Sequence, residues 1–81
     1  MSVDIEMPTL GENVTEGTIT HWLKAVGEPV RKGEILVEVM TEKVSLDVES
    51  TTSGVLTDIL FPEESIVRVG QVIARIETEP Q

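Results

Sequence analysis

The sequence has no cysteine, only two aromatic residues, and far fewer basic than acidic residues. Without cysteine the chain can form no disulfide, no thiol nucleophile and no thiolate metal site. The single histidine, His21, has no cysteine partner and only scattered carboxylates to complete a zinc site. The sequence therefore predicts no metal site.

The charge balance limits the classes of partner. Fifteen acidic residues against six basic ones give a net charge of −9 at pH 7. Such a surface repels nucleic acid and anionic membranes, and it favours partners with basic docking faces. No apolar run approaches membrane-spanning length, and residues 1–4 have the features of neither a signal peptide nor a transit peptide. We therefore expect a cytoplasmic bacterial protein, or a piece of a longer one.

The length of 81 residues leaves room for one domain with a modest core. We predict a domain over residues 1–77 and the start of a flexible linker over residues 78–81. A domain this small has little volume for a substrate pocket, and more often presents a reactive group to another protein. The chain also lacks a Ser-His-Asp arrangement and a glycine-rich phosphate loop. We therefore predict no catalytic residue and no independent enzyme activity.

Apolar and polar residues alternate with a period of two, which is typical of β-strands. The alternation is clear over residues 3–7 and 44–48, and less clean over residues 35–39. Residues 55–60 and 72–76 complete the set, and glycines and prolines separate the segments at short intervals. The sequence predicts an all-β sandwich or small barrel without a helix.

The chain also repeats itself. Residues 17–43 match residues 54–80 at an offset of 37 without a gap, and we call matched residues twins. Upstream we assign an offset of 41, which aligns residues 3–7 with 44–48 and implies a four-residue insertion in the loop 9–16. Two such halves predict a pair of four-stranded antiparallel sheets, related by a pseudo-two-fold axis and sharing one core.

The repeat predicts a hairpin between residues 35–41 and 44–50. With Glu42 and Lys43 as a two-residue loop, the apolar faces of the two strands coincide, whereas a one-residue slip would set valines against acidic residues. The predicted pairs are Val37–Val48, Glu38–Asp47 and Val39–Leu46. Glu-Lys is a poor sequence for the primed turns, so we predict a type I turn. Lys43 therefore lies at an exposed hairpin tip.

The same repeat predicts what surrounds Lys43. The loop 9–16 is the twin of residues 50–53, so the symmetry brings that longer loop beside the hairpin tip. Residues 78–80 are the twins of residues 41–43, so the chain leaves the domain at the end opposite Lys43. A carrier that swings on a tether would have this design.

Several segments resemble the lipoyl domains of 2-oxo acid dehydrogenase complexes, within the biotinyl/lipoyl carrier family. Residues 39–44, VMTEKV, resemble the turn that carries the modified lysine, with Glu42 where the family usually has aspartate. Residues 7–17 resemble the family's first strand and loop. Its later turns are resembled by residues 27–30, 53–54 and 69–70. The resemblance covers essentially the whole chain.

This resemblance implies a fold, a cofactor and a set of partners. The implied fold is a flattened barrel-sandwich hybrid of two four-stranded sheets, with lipoic acid in amide linkage to Lys43. The implied role is a non-catalytic acyl carrier within a dihydrolipoamide acyltransferase component. The implied partners are a lipoylating enzyme, a thiamine-diphosphate-dependent 2-oxo acid decarboxylase, the acyltransferase core and dihydrolipoamide dehydrogenase. The domain itself is expected to be a monomer, and tethering raises the local concentration of its arm.

Residues near Lys43 are candidates for recognition by these partners. The turn contributes Thr41, Glu42 and Val44, and the enlarged loop contributes Leu10, Gly11, Glu12, Asn13, Val14, Thr15 and Glu16. For several other residues we predict only a structural role. Surface roles are predicted for Lys24, Lys32, His21 and residues 63–64, and packing at the core or its rim for Trp22 and Phe61.

The sequence leaves two other functions open. A biotin carrier shares the fold and the lysine, but typically has methionine on both sides of it, where this chain has Glu42 and Val44. An unmodified barrel-sandwich module, acting as a structural or docking element, would keep the repeat but would not need a lysine at the tip. The lipoylated carrier of glycine cleavage is larger, with flanking elements that this chain lacks.

Overall fold

The computed structural model describes residues 1–78, and every regular element within them is a β-strand. No helix in this part of the chain is long and apolar enough to cross a membrane. The strands are β1 (Ser2–Glu6), β2 (Glu16–Trp22), β3 (Pro29–Val30), β4 (Ile35–Met40), β5 (Ser45–Glu49), β6 (Gly54–Ile59), β7 (Ile66–Arg68) and β8 (Val72–Glu77).

The strands form two four-stranded antiparallel sheets, and the sheets do not close into one barrel. The first has the order β1-β8-β6-β3 and the second the order β5-β4-β2-β7. The strands β1, β8, β6 and β3 of the first sheet occupy the same places as β5, β4, β2 and β7 of the second. The two strands of each equivalent pair are four strands apart along the chain. The predicted all-β class and the pseudo-two-fold pair of sheets are therefore confirmed.

The core lies between the two sheets, because alternation along each strand turns one set of apolar side chains inward. Consecutive residues Leu36 and Val37 are both fully buried, and the register of β4 against β5 shifts between Ile35 and Val37. This bulge explains why the alternation over residues 35–39 is irregular in the sequence. The largest fully buried side chains are Met7, Ile19, Leu36, Leu56, Ile73, Ile76, Val37, Val39 and Val67.

The predicted offset of 41 between β1 and β5 was wrong. Met7 exchanges two backbone hydrogen bonds with residues 70–71, and Ser50 exchanges the same two with residues 33–34. Met7 is therefore the twin of Ser50, an offset of 43. An error of two positions leaves every side chain on the same face, because strand side chains alternate with a period of two. The insertion in the loop 9–16 is accordingly six residues, not four.

The corrected offset makes the hairpin tip the twin of the chain ends. The backbone N–H and the hydroxyl of Thr41 both donate to the Val44 carbonyl, at 2.7 and 2.9 Å. The same groups of Thr78 donate to the Met1 carbonyl, at 2.8 and 3.1 Å. Thr78 therefore still belongs to the hydrogen-bonded domain. The remainder of the predicted linker, residues 79–81, lies outside the described residues.

Thr78, the last described residue, lies at the end of the domain opposite Lys43. Thr78 sits beside Met1, where β1 begins. From there β1 runs the length of the sheet toward Leu10, whose side chain lies beside Gly17 and the last residues of β4. One pole of the domain therefore carries Met1 and Thr78, and the other carries the hairpin tip.

The two aromatic residues pack where the sequence predicted. Trp22 and Phe61 are half-buried against the core, and the Trp22 indole N–H donates to the Phe61 carbonyl at 2.9 Å. His21 is an exposed strand residue whose Nδ1 lies 3.0 Å from Glu63 Oε2. The same carboxylate oxygen accepts the Trp22 backbone N–H at 3.1 Å, so Glu63 holds the loop after β6 against β2.

Candidate functional site

The hairpin β4–β5 positions Lys43. Its strands pair in the predicted register, with Val37 opposite Val48, Glu38 opposite Asp47 and Val39 opposite Leu46, and the last pair is Met40–Ser45. Neither Glu42 nor Lys43 has a positive φ. Primed turns require positive φ, so the structure excludes them, in agreement with the sequence prediction. Lys43 is exposed at the tip of this turn.

Thr41 holds the shape of the turn. Its side-chain oxygen accepts the backbone N–H groups of Lys43 and Val44, at 3.3 and 3.1 Å, while its hydroxyl donates to the Val44 carbonyl. The Thr41 side chain thus takes the place of the usual backbone bond that closes a turn. Thr41 is only 9% exposed, so these bonds are shielded from water. The residue predicted for recognition is therefore a buried support for Lys43.

Lys43 differs from Lys24 in the freedom of its ammonium group. Lys24 Nζ lies 2.9 Å from Glu34 Oε2, and the Lys24 side chain is only 18% exposed. Among residues 1–78, the ion pairs use the Met1 amine, His21, Lys24 and Arg75, and none uses Lys43. Lys43 therefore offers an exposed amine on a fixed turn, which suits amide formation.

The ion pair of Lys24 leads to a prediction about the pKa of Glu34. The Lys24 ammonium, and then the Arg31 backbone N–H, hold the pKa of Glu34 below its ordinary value. A lowered pKa gives a contribution to stability that is full above the ordinary pKa and is lost as pH falls through the folded-state pKa. We expect Lys24→Met to raise the Glu34 pKa toward its ordinary value, as measured by carboxyl NMR titration. Lys32→Met is the control, and an equal rise in that variant would contradict this account.

The enlarged loop is fixed at both of its ends. Leu10 is 4% exposed and belongs to the core, so its side chain anchors the loop and offers no surface to a partner. The Val14 N–H donates to the Gly11 carbonyl at 3.2 Å, and the Thr15 carbonyl accepts the Val69 N–H at 3.0 Å. The loop is therefore a preformed feature of the domain.

A groove of about 500 Å³ separates this loop from the Lys43 turn. The predicted recognition residues divide here. The second half of the loop, Thr41 and Glu42 line the groove, whereas Gly11, Glu12 and Val44 do not. The lining residues are Asn13, Val14, Thr15, Glu16, Gly17, Thr18, Met40, Thr41, Glu42 and Ile66. The predicted placement of the loop beside Lys43 is confirmed.

Sequence reasoning missed the part of the groove that the sheet supplies. Met40 and Ile66 are large apolar residues that remain 50% and 64% exposed, on strands β4 and β7. They flank Thr18 of β2 on the outer face of the sheet, because Thr18 pairs with both. The available signal was Met40 itself, an apolar residue at a position that alternation turns outward.

The outer face that carries the hairpin has an unbalanced negative charge. Glu38 lies directly opposite Asp47, an arrangement that destabilises an antiparallel sheet. Their twins on the other sheet are Arg75 and Asp4, which form an ion pair at 3.2 Å. The repeat thus holds a neutralised pair at one site and a like-charge pair at the other. The described residues 1–78 contain no cluster of three or more groups able to hold a metal ion.

Comparison with known proteins identifies the family. Residues 3–76 match the family model Biotin_lipoyl, described as biotin-requiring enzyme. The solved lipoyl domain of the 2-oxoglutarate dehydrogenase complex of Azotobacter vinelandii is 32% identical, with a TM-score of 0.76 over 95% of this chain and 99% of that domain. This chain is a lipoyl domain of the biotinyl/lipoyl family.

Two curated relatives of the lipoyl domain are much longer proteins. The acetyltransferase component of the pyruvate dehydrogenase complex of Corynebacterium glutamicum is 55% identical over 93% of this chain and 11% of its own length. The acyltransferase component of the branched-chain alpha-keto acid dehydrogenase complex of Bacillus subtilis is 48% identical over 90% of this chain and 17% of its own length. The chain thus spans less than a fifth of the length of these two curated relatives.

Proposed function

We propose that Lys43 carries lipoate in amide linkage, and that the domain serves an acyltransferase component of a 2-oxo acid dehydrogenase complex as its acyl carrier. The observation that supports this most is the geometry of Lys43: an exposed amine without an ion-pair partner, at the tip of a fixed turn, in a lipoyl-domain fold. The relatives named as dihydrolipoyllysine-residue and lipoamide acyltransferase components support lipoate over biotin.

The protein's own contribution is to position the arm. A bound lipoyl group would supply a disulfide able to accept an acyl group and electrons, which is chemistry that no side chain here offers. Thr41 fixes the direction in which Lys43 leaves the turn, and the exposed turn allows a partner's active site to surround it. The chain ends lie at the other pole, so a tether would leave the arm unobstructed.

The acidic hairpin face supports basic docking surfaces on the partners. Neither Glu38 nor Asp47 forms an ion pair among residues 1–78, so a lysine or arginine of a partner would relieve the repulsion. We assign this face to the decarboxylase, acyltransferase and dihydrolipoamide dehydrogenase partners, and to the lipoylating enzyme, which must all approach Lys43. The domain acts as a monomer without catalytic activity of its own.

The intact mass of the domain tests the proposal. After incubation with a lipoylating enzyme, ATP and lipoate, we expect a mass increase of one lipoyl group, because Lys43 Nζ is accessible and unpaired. Lys43→Gln should show no increase, whereas Lys32→Gln, which removes another exposed turn lysine, should be modified like the parent.

Two outcomes would overturn the proposal. Addition of a lipoyl group to the Lys43→Gln variant would assign another lysine. A folded parent domain that stays unmodified with the lipoylating enzyme, but gains biotin with a biotin ligase, would make the chain a biotin carrier.

A further inference from the structure

We propose that the groove beside the hairpin is a resting site for the lipoyl arm of Lys43. This inference rests on the proposed function, since it requires the arm to be attached. The groove is lined by Thr41 and Glu42, the two residues that precede Lys43, and by Val14 of the enlarged loop. An arm that folds back over its own turn therefore enters the groove directly.

The sheet side of the groove offers apolar surface that matches the arm. Amide formation removes the charge of Lys43, and the lipoyl group is a neutral hydrocarbon chain that ends in a disulfide. Met40 and Ile66, both at least half exposed, present apolar surface along the groove. The Met40 thioether is polarisable and adapts its shape to irregular apolar groups. Burying the arm against these residues removes apolar surface of both from water.

The pseudo-symmetry shows that this pair of exposed apolar residues is not repeated at the other pole. The twin of Met40 is Glu77, and the twin of Ile66 is Pro29. The six-residue insertion that builds the outer wall is likewise present at the lysine end alone. The domain therefore keeps exposed apolar residues where the arm can reach them, and neither of these apolar residues recurs at the related positions near the chain ends.

The groove is formed before any arm is attached. The loop that makes its outer wall is fixed by buried Leu10, and by the hydrogen bond between Val69 and Thr15. A preformed site imposes little ordering cost on a ligand, and covalent attachment gives the arm a high effective concentration at it. The arm thus exchanges between the groove and solvent, and a partner's active site competes with the groove for it.

The experiment uses the fully lipoylated domain and compares the parent with the double variant Met40→Gln, Ile66→Ser. Intact mass establishes complete lipoylation of both proteins, which separates this inference from the proposed function. We expect NOE contacts between the arm methylenes and the Met40 and Ile66 methyl groups of the parent. We also expect lipoylation to shift the amide resonances of residues 13–18. In the double variant, the dithiolane should be reduced by a soluble phosphine at least two-fold faster.

The control variant is Val26→Ser, which removes an apolar residue that is 57% exposed and lies outside the groove. It should keep the amide shifts, the NOE contacts and the reduction rate of the parent. If the double variant fails to fold, each single substitution gives the same comparison. A fully lipoylated parent without NOE contacts to these methyl groups, reduced at the same rate as the variants, would overturn the resting site.

Discussion

Replacing Gly54 with alanine is expected to destabilise the domain much more than the same change at its twin, Gly17. A Cβ atom on Gly54 would meet the backbone oxygen of Glu77, and would lie 2.8 Å from Ile76 Cγ2. Those residues belong to β8, which lies between β1 and β6 in its sheet. Backbone atoms of a central strand cannot move without disturbing the hydrogen bonds on both sides, so relief of this clash is costly.

At Gly17 the added atom meets side chains instead. Its nearest neighbours would be Val39 Cγ1 at 2.7 Å and Leu10 Cδ1 at 2.9 Å, both terminal methyl groups that can shift. We expect Gly54→Ala to lower the free energy of unfolding by about 3 kcal/mol or more, and Gly17→Ala by about 1–2 kcal/mol. Urea unfolding followed by Trp22 fluorescence measures both values. Equal losses at the two positions would contradict the distinction between backbone and side-chain contacts.

The hairpin and its register could be predicted because two independent constraints agree. Valines at positions 37, 39 and 48 must face the same core, and a one-residue slip would bury the acidic residues between them. The two-residue loop then places Lys43 at the tip. The same reasoning predicted the loop beside Lys43, since the repeat relates that loop to residues 50–53.

The length of the insertion could not be obtained in the same way. Alternation distinguishes odd from even shifts, but offsets of 41 and 43 both bring Val3 and Ile5 onto apolar residues. The backbone hydrogen bonds of Met7 and Ser50 decide between the two offsets. The pattern of apolar and polar side chains does not reveal these bonds. Ser50 is only 3% exposed, so a buried serine stands where the other half has a buried methionine. Such a pair hides the match from sequence comparison.

The groove could not be predicted from the sequence, for a different reason. Ile66 and Met40 are 26 positions apart in the chain, and they line the same groove because each pairs with Thr18 of β2. The repeat predicted two four-stranded sheets, but apart from the hairpin it did not predict which strands are neighbours. Leu10 is the opposite case, a residue predicted to be at the surface that the fold buries. It was assigned to a recognition loop, but its side chain lies in the core.

Replacing Thr41 with valine is expected to slow lipoylation of Lys43 about ten-fold or more while the domain stays folded. Valine keeps the β-branched shape but removes the oxygen that accepts the Lys43 and Val44 N–H groups. The turn then has no side-chain acceptor for either group, and Lys43 samples many directions. A modifying enzyme acts on a narrow range of geometries, so a small misplacement of the amine lowers kcat/KM strongly.

The pseudo-symmetry supplies the matched control for this prediction. Thr78→Val removes the equivalent hydroxyl, which donates to the Met1 carbonyl at 3.1 Å, from the pole without the lysine. Thr78→Val should lose about 1 kcal/mol of stability for the one hydrogen bond removed, and Thr41→Val more, since its side chain makes three. Only Thr41→Val should lose kcat/KM with the lipoylating enzyme. Thr41→Ser, which keeps the hydroxyl, should restore the rate. A Thr41→Val domain lipoylated at the parental rate would show that the turn holds Lys43 without this side chain, and that the strands β4 and β5 alone direct it.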